Sequence, residues 1–352
     1  MKLVLKISKL AVILVLAVSL FLFSASLLLQ DKVADIVLKS LSNSISTKFE
    51  YKSLKLSFLR RFPRASLELK GVLVHSSDSF KASSLHSIKT DTLLAAAGLS
   101  VEFRLTDIIR SNYTIESIYA RNGRLNLYTD KDGLVNWNIS GKSSGKSEQD
   151  LTIDLEKINV RNIKACYDNR QADLIINGTV KSGRLKSRIN ADNIDFFALA
   201  KCDMDRFVLG KTTINGPVMS DINLAMQSNS NGVSFSRGTI STNDYDFDIR
   251  GSVLKGNILD LSITGDKIDA ARISRYLPQK YRDIVADYDP SGILSAKCTI
   301  KGHLSPGRNP HIEVSYSLKK GRVNSRDPHF VATDISFKGN LSNGAADNSS
   351  TA

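Results

Sequence analysis

The sequence predicts a mainly β protein. It begins with an N-terminal transmembrane helix and an amphipathic helix, and continues as an elongated, curved antiparallel sheet that forms a groove, with few short helices. Three observations carry this expectation. An uncharged apolar run occupies Leu10 to Leu29, LAVILVLAVSLFLFSASLLL, long enough to cross the hydrocarbon core of a bilayer as one helix. Beyond residue 50 the apolar residues recur with period two, and no continuous helical pattern exceeds about 15 residues. Asn-Gly, Asp-Gly and isolated glycines punctuate the alternating segments, as antiparallel sheets require.

The N-terminal elements follow from charge and periodicity. Lys2, Lys6 and Lys9 precede the run and mixed signs follow it, so the positive-inside rule leaves residues 1–9 in the cytoplasm and exports the rest. A cleaved signal peptide is the rival reading, with Ser24-Ala25-Ser26 as its small-residue site. However, an h-region stops at about 7 to 15 residues, and this run continues through Leu27, Leu28 and Leu29. In the next segment, residues 30–49, Val33, Ile36, Val37, Leu41, Ile45 and Phe49 recur at three- and four-residue spacing, which predicts an amphipathic helix. That helix either lies on the membrane surface or caps the hydrophobic end of a sheet.

A first β module is expected over 50–139. Leu54, Leu56 and Phe58 alternate with polar residues and, after the Arg60-Arg61-Phe62-Pro63 corner, so do Leu67 and Leu69. Ala95 to Arg110 reads as a mixed segment with a short helix around Leu105 to Ile109. A hairpin series follows. Ile115 to Ala120 forms a strand, Asn122-Gly123 turns it, Leu125 and Leu127 alternate, and Asp132-Gly133 turns the chain into Val135, Trp137 and Ile139. The polar stretch SGKSSGKSEQD over 140–150 reads as a flexible loop.

A second β region is expected over 151–340. Leu151, Ile153 and Leu155 alternate, as do Ile222, Leu224 and Met226, then Tyr245, Phe247 and Ile249, then Leu259, Leu261 and Ile263, and finally Ile312, Val314, Tyr316 and Leu318. Ala271 to Ala286 reads as a short helical excursion broken by Pro278. KTTINGPV, DFDIRGSV and KCTIKGHL each place an alternating apolar pair before a glycine expected to end a strand, which predicts one small unit laid side by side.

Composition and motifs return few chemical candidates. A net charge of +13 fits an anionic membrane surface, and export argues against nucleic acid as a partner. Cys166, Cys202 and Cys298 are too few and too scattered for a disulfide scaffold or a zinc site. Gly141-Lys142-Ser143-Ser144-Gly145 matches the letters of a nucleophile elbow but sits in a polar linker, where the motif's strand and helix are missing. His75, His86, His303, His311 and His329 show no metal-ligand spacing. Asp244, Asp246 and Asp248 read as the wet side of a strand. No catalytic residue, cofactor or metal is therefore expected.

The basic N-terminus, the single anchor, the amphipathic helix, LSFLRRFPRASLELKGVLV and YTIESIYARNGRLNLYTDKDGLVNWNI together resemble the N-terminal region of the AsmA-like family of bacterial envelope proteins. LSITGDKIDAARISRYLP and GILSAKCTIKGHLSPGRNPHIEVSYSLKKGRV resemble that family's later β region. The resemblance implies a single-pass protein of the bacterial inner membrane, periplasmic in its bulk and related to bridge-like lipid transfer proteins of the chorein type. Such a protein acts in outer-membrane assembly or phospholipid traffic. Members run longer, so the polar tail LSNGAADNSSTA at 341–352 reads as a truncation point or the end of a short paralogue.

Physical chemistry gives the lipid reading a rationale. Each exposed methylene costs about 0.8 kcal/mol, so a 16-carbon tail in water costs on the order of 12 kcal/mol. A sheet with one apolar face lowers that cost and needs no catalytic residue. On this reading Leu67, Leu69, Leu125, Leu127, Val135, Trp137, Leu259, Leu261 and Ile263 face the lipid, while Arg124 and Asn126 face water. The alternative is that the same apolar residues close into a dry core, as in a scaffold that grips an envelope protein by its sheet edge. An exported hydrolase is a third class. The expected partners are membrane phospholipid and envelope proteins, with the oligomeric state left open.

Overall fold

Alternation sends successive side chains of a strand to opposite faces, so the apolar set of each segment gathers on one side of a sheet. The computed structural model describes residues 45–61, 64–104, 114–139, 152–190, 193–210, 212–242, 244–273, 279–305, 310–326 and 328–344, together with five helical residues, Leu20, Ser24, Asp31, Asp35 and Leu38. Within them lie the strands β1 (Phe49–Glu50), β2 (Ser53–Arg61), β3 (Arg64–His75), β4 (Thr92–Arg104), β5 (Thr114–Thr129), β6 (Thr152–Asn169), β7 (Leu174–Asn190) and β8 (Asn193–Leu209). They continue with β9 (Thr212–Asn229), β10 (Gly232–Thr242), β11 (Asp246–Leu254), β12 (Ile258–Asp269), β13 (Ser291–His303), β14 (His311–Arg326) and β15 (His329–Ser342). A 3-10 turn, Asp78–Ala82, follows β3, and helices α1 (Ala270–Ile273) and α2 (Gln279–Tyr288) follow β12. The hydrogen-bonded order is β1-β3-β4-β5-β6-β7-β8-β9-β10-β11-β12-β13-β14-β15, with β2 also on β3. The fold is mainly antiparallel β, as expected.

The chain divides into two compact units, the first of residues 1–125 and 135–161, the second of 126–134 and 162–352. In the first, β2, β3 and β4 bring Leu56, Leu67 and Val101 into one cross-strand row. These three are 0%, 0% and 2% exposed. Leu69, Phe80, Phe103, Ile115 and Ala120 are buried as well, so this unit has a closed core. Each such side chain contributes about 1.5 to 3 kcal/mol relative to leaving it in water.

In the second unit, β7 to β15 pair sequentially. Among the described elements, contacts run between neighbouring strands and from α1 and α2 to β12, β13 and β14. Bulges interrupt several ladders. One lies between Gly265 and Ile268 of β12 and another between Leu318 and Gly321 of β14, where Lys267 and Lys320 take φ of 57° and 51°. An inserted left-handed residue of this kind bends a strand and increases its local twist.

Several expectations are corrected. The amphipathic helix does not reach Phe49, which pairs with Val74 as part of β1. Its earlier apolar positions Val33, Ile36, Val37 and Leu41 lie outside the described residues, as does the loop 140–150. Ala95 to Arg104 is strand, with the helix expected at Leu105 to Ile109 outside the described residues. Asn122-Gly123 does not turn the chain. Asn122 takes φ of 51° inside β5, and Ala96↔Gly123 and Gly98↔Arg121 keep the same register on either side. Glycine is needed at 123 because a Cβ there would strike the Ala95 carbonyl oxygen. Gly216 and Gly251 likewise lie within β9 and β11 rather than ending them. At Gly251, with φ of 127°, a Cβ would strike the Asp260 carbonyl oxygen, so close strand approach, not strand termination, selects the glycine.

Most of the anchor at Leu10 to Leu29 lies outside the described residues. Leu20 and Ser24 are helical, and the Ser24 hydroxyl donates to the Leu20 carbonyl at 2.9 Å. Among the described residues no helix is long and apolar enough to cross a membrane.

Candidate functional site

The register of the second unit builds one apolar face. Phe196, Met226, Phe235, Gly251, Leu261 and Ile300 stand in one cross-strand row. In the next, Leu224, Gly238, Ile249, Ile263, Cys298 and Val314 follow one another. A bulge in β10 between Phe235 and Gly238 keeps both on this face although three positions separate them. The side chains of these rows are half-buried rather than buried, with Gly238 alone closed off. Neighbours on one face lie within reach across and along the strands, so they shield one another.

The opposite face is wet. Asp248, Thr264, Lys297, Ser315 and Asn340 form one of its rows, and ion pairs cross it from Lys201 to Asp221 at 3.1 Å and from Lys181 to Asp203 at 2.8 Å. Such exposed pairs contribute about 0 to 1 kcal/mol each. Phe197 and Leu199 interrupt this face and are 50% and 49% exposed, whereas Phe196, one position away on the apolar face, is half-buried.

The nine expected lipid-facing residues separate accordingly. Leu259, Leu261 and Ile263 share one side of β12, opposite Val253, Gly251 and Ile249. Leu125 and Leu127 are half-buried on β5, with Leu125 opposite Leu94. Leu67 and Leu69 are 0% and 1% exposed, inside the closed core, and do not belong to an accessible face. Val135 and Trp137 are not on a strand continued from an Asp-Gly hairpin. The Asp130 carboxylate instead accepts the Asp132 and Leu134 amides at 2.9 and 2.8 Å and closes a tight turn. Beyond it Val135 is a half-buried single-residue β-bridge and Trp137 a half-buried turn residue. Asn126, expected to face water, is 4% exposed.

The three thiols are free and half-buried. Burial pushes the thiols of Cys202 and Cys298 up; for Cys202 the carboxylates of Asp203 and Asp221 add to the effect.

One polar cluster carried no sequence signal. In the first unit His75 Nδ1 lies 2.7 Å from Asp91 Oδ2, His75 Nε2 lies 3.1 Å from Glu50 Oε1, and His86 Nε2 lies 3.4 Å from Asp91 Oδ1. Burial works against ionisation of Asp91, but the hydrogen bonds from His75 and His86 outweigh it and hold the carboxyl below its ordinary value. A carboxylate orienting an imidazole also serves general-base chemistry, yet the adjacent serines are spent on structure. Ser76 Oγ donates to the Thr90 carbonyl at 2.7 Å and Ser77 Oγ to the Val135 carbonyl at 2.9 Å, while Asn136 Nδ2 donates to Ser76 Oγ at 3.1 Å. Ser76 and Asn136 are fully buried. The cluster therefore ties β1, the Ser76–Asp91 connection and the Val135–Asn136 turn to the end of β3. Among the described residues no group of three or more His, Cys, Asp or Glu side chains converges to hold a metal ion.

The geometry defines an antiparallel β protein with one closed unit and one unit whose apolar face is half-exposed. Comparison with models of protein families, with curated proteins and with solved structures returns no match.

Proposed function

We propose that the chain is a membrane-anchored protein of the bacterial envelope that shields phospholipid acyl chains against the apolar face of its second unit, in the service of outer-membrane assembly. The observation that carries the reading is the in-register apolar rows through Leu261 and Ile263, half-buried on one face while the other face is charged. Acyl chains laid along such rows leave water at about 0.8 kcal/mol per methylene, and the groove holds them without chemistry. The resemblance to AsmA-like proteins in the basic N-terminus and apolar run supports the inner-membrane placement.

The test is photo-crosslinking in living cells, with the reactive residue placed at Leu261 or Ile263 and, as controls, at Ser262 or Thr264. Phospholipid adducts at the first pair and none at the second are the expected outcome. A folded, anchored protein that captures no lipid at either pair sinks the proposal. A second reading, in which a protein partner adds a strand to β15, draws on Phe337 and Leu341, which are 47% and 62% exposed on the last strand of the hydrogen-bonded order. Protein adducts at Phe337 in place of lipid adducts at Leu261 would favour it.

A further inference from the structure

We propose that the polar face of the first unit is a phosphate-binding site built by Lys55, Lys70 and Arg121. The register makes the arrangement. Lys55, Glu68, Ser100 and Tyr119 form one cross-strand row, and Ser53, Lys70, Gly98 and Arg121 form the next. Both rows alternate with the buried Leu67 and Leu69 and so lie on the side of the sheet away from the closed core.

Two clefts, of about 590 and 290 Å³, share Glu68, Lys70 and Arg121 as walls. Lys55, Lys70 and Arg121 are exposed and line the larger cleft together with Glu68, so its wall carries three cations and one carboxylate. Gly98 shapes it. A Cβ at that position would sit 2.7 Å from Arg121 Nε, so the guanidinium lies across the space a side chain would fill. The glycine has no left-handed φ to satisfy, which leaves this close approach as its structural role.

The side chains fit one chemistry. A guanidinium presents a rigid fork that matches two oxygens of a phosphate, and two ammonium groups supply further charge without constraining orientation. Ser100 and Tyr119, two hydroxyl-bearing residues, line the smaller cleft beside Lys70 and Arg121. The larger cleft alone, at about 590 Å³, exceeds a bare phosphate and has room for a phosphate joined to a glycerol or sugar. This site is independent of the acyl-chain reading, because it belongs to a different unit and needs no apolar surface.

The experiment is isothermal titration of the full chain in neutral detergent, with three probes: inorganic phosphate, glycerol 3-phosphate, and mixed micelles containing phosphatidylglycerol. Saturable binding that weakens about tenfold or more in Arg121→Gln and Lys70→Gln is expected. Gly98→Ala, which keeps every charge but displaces the guanidinium, weakens it too. Response to the soluble probes identifies a free phosphate ester as the ligand, and response to the micelles alone identifies a lipid headgroup. Lys338→Gln removes a cation from the second unit and leaves affinity unchanged. Absence of binding to all three probes overturns the site, as does an equal loss in Lys338→Gln and Arg121→Gln.

Discussion

In the first unit the row of Leu56, Leu67 and Val101 is sealed, at 0%, 0% and 2% exposure. In the second, Ile263, Cys298 and Val314 form a row of the same chemistry in the same kind of ladder and remain half-buried. The local segments are nearly interchangeable as patterns, SLELK in β3 against DLSIT in β12. Strand pairing and alternation thus decide which face a side chain takes, and what packs against that face decides whether it becomes a core or a surface. A sealed row contributes stability, whereas a half-open row leaves part of its hydrophobic free energy to be gained by a ligand.

The sharpest way to break this comparison is a matched pair of truncations. Leu67→Ala should destabilise the protein by about 2 to 5 kcal/mol, because it leaves a cavity among Leu56 and Val101. Leu261→Ala should cost no more than about 1.5 kcal/mol, since its site is already partly in water. Urea unfolding of the two variants measures both. Equal losses would mean that the second unit's face is a core after all.

The polar side of the closed unit gives a smaller effect. Glu116 is 5% exposed and receives Arg64 Nε at 2.9 Å together with the Arg104 guanidinium. Glu116→Gln removes the charge that both cations face, and a loss of about 1 to 3 kcal/mol is expected. In the second unit Asp221→Asn, whose partner Lys201 is exposed, should be nearly neutral by the same urea measurement.

Asp91 makes the contrast pH-dependent. Its carboxyl titrates below the ordinary 3.8 in the folded chain, with the imidazoles of His75 and His86 overcoming the opposing effect of burial. A group with a depressed folded pKa contributes stability that is present above the unfolded value and is lost as the pH falls through the folded one. Stability of the first unit should therefore hold down to about pH 4 and decline below it. Asp91→Asn should lower the melting temperature at pH 7 and flatten that acid limb. An unchanged acid limb in the variant would show that Asp91 is not its source.

Much of the fold was legible because alternation is local. The strands through Leu54, Leu69, Ile222, Phe247, Leu261 and Val314 all stand where period two placed them, and the two short helices overlap the excursion expected at Ala271 to Ala286, starting one residue before it and ending two residues after it. The misreadings share one cause. Asn122-Gly123 and Gly251 carry the residue types of turns, yet they serve close approach inside long strands, a relation set by partners that are distant in sequence. Leu67 and Leu69 could not be told from Leu261 and Ile263, because whether a strand's apolar face is buried is set by groups distant in sequence and not by the strand's own residues. The His75, His86 and Asp91 cluster was invisible for the same reason, since only the path of the Ser76–Asp91 connection brings its members together.

The finest distinction lies in the thiols of the open face. Burial raises the Cys298 thiol above its ordinary 9.0, so at pH 7 it holds less thiolate than free cysteine. The thiolate is the nucleophile that maleimide captures. Labelling of the folded protein at pH 7 should run slower than for free cysteine, and its rise with pH should continue beyond the point at which free cysteine levels off. Because Cys298 sits between Ile263 and Val314, it is also a gauge of occupancy. Phospholipid added in mixed micelles should slow the labelling of Cys298 further, whereas free phosphate should not. A Cys298 rate that lipid leaves unchanged would mean that acyl chains do not lie on this face.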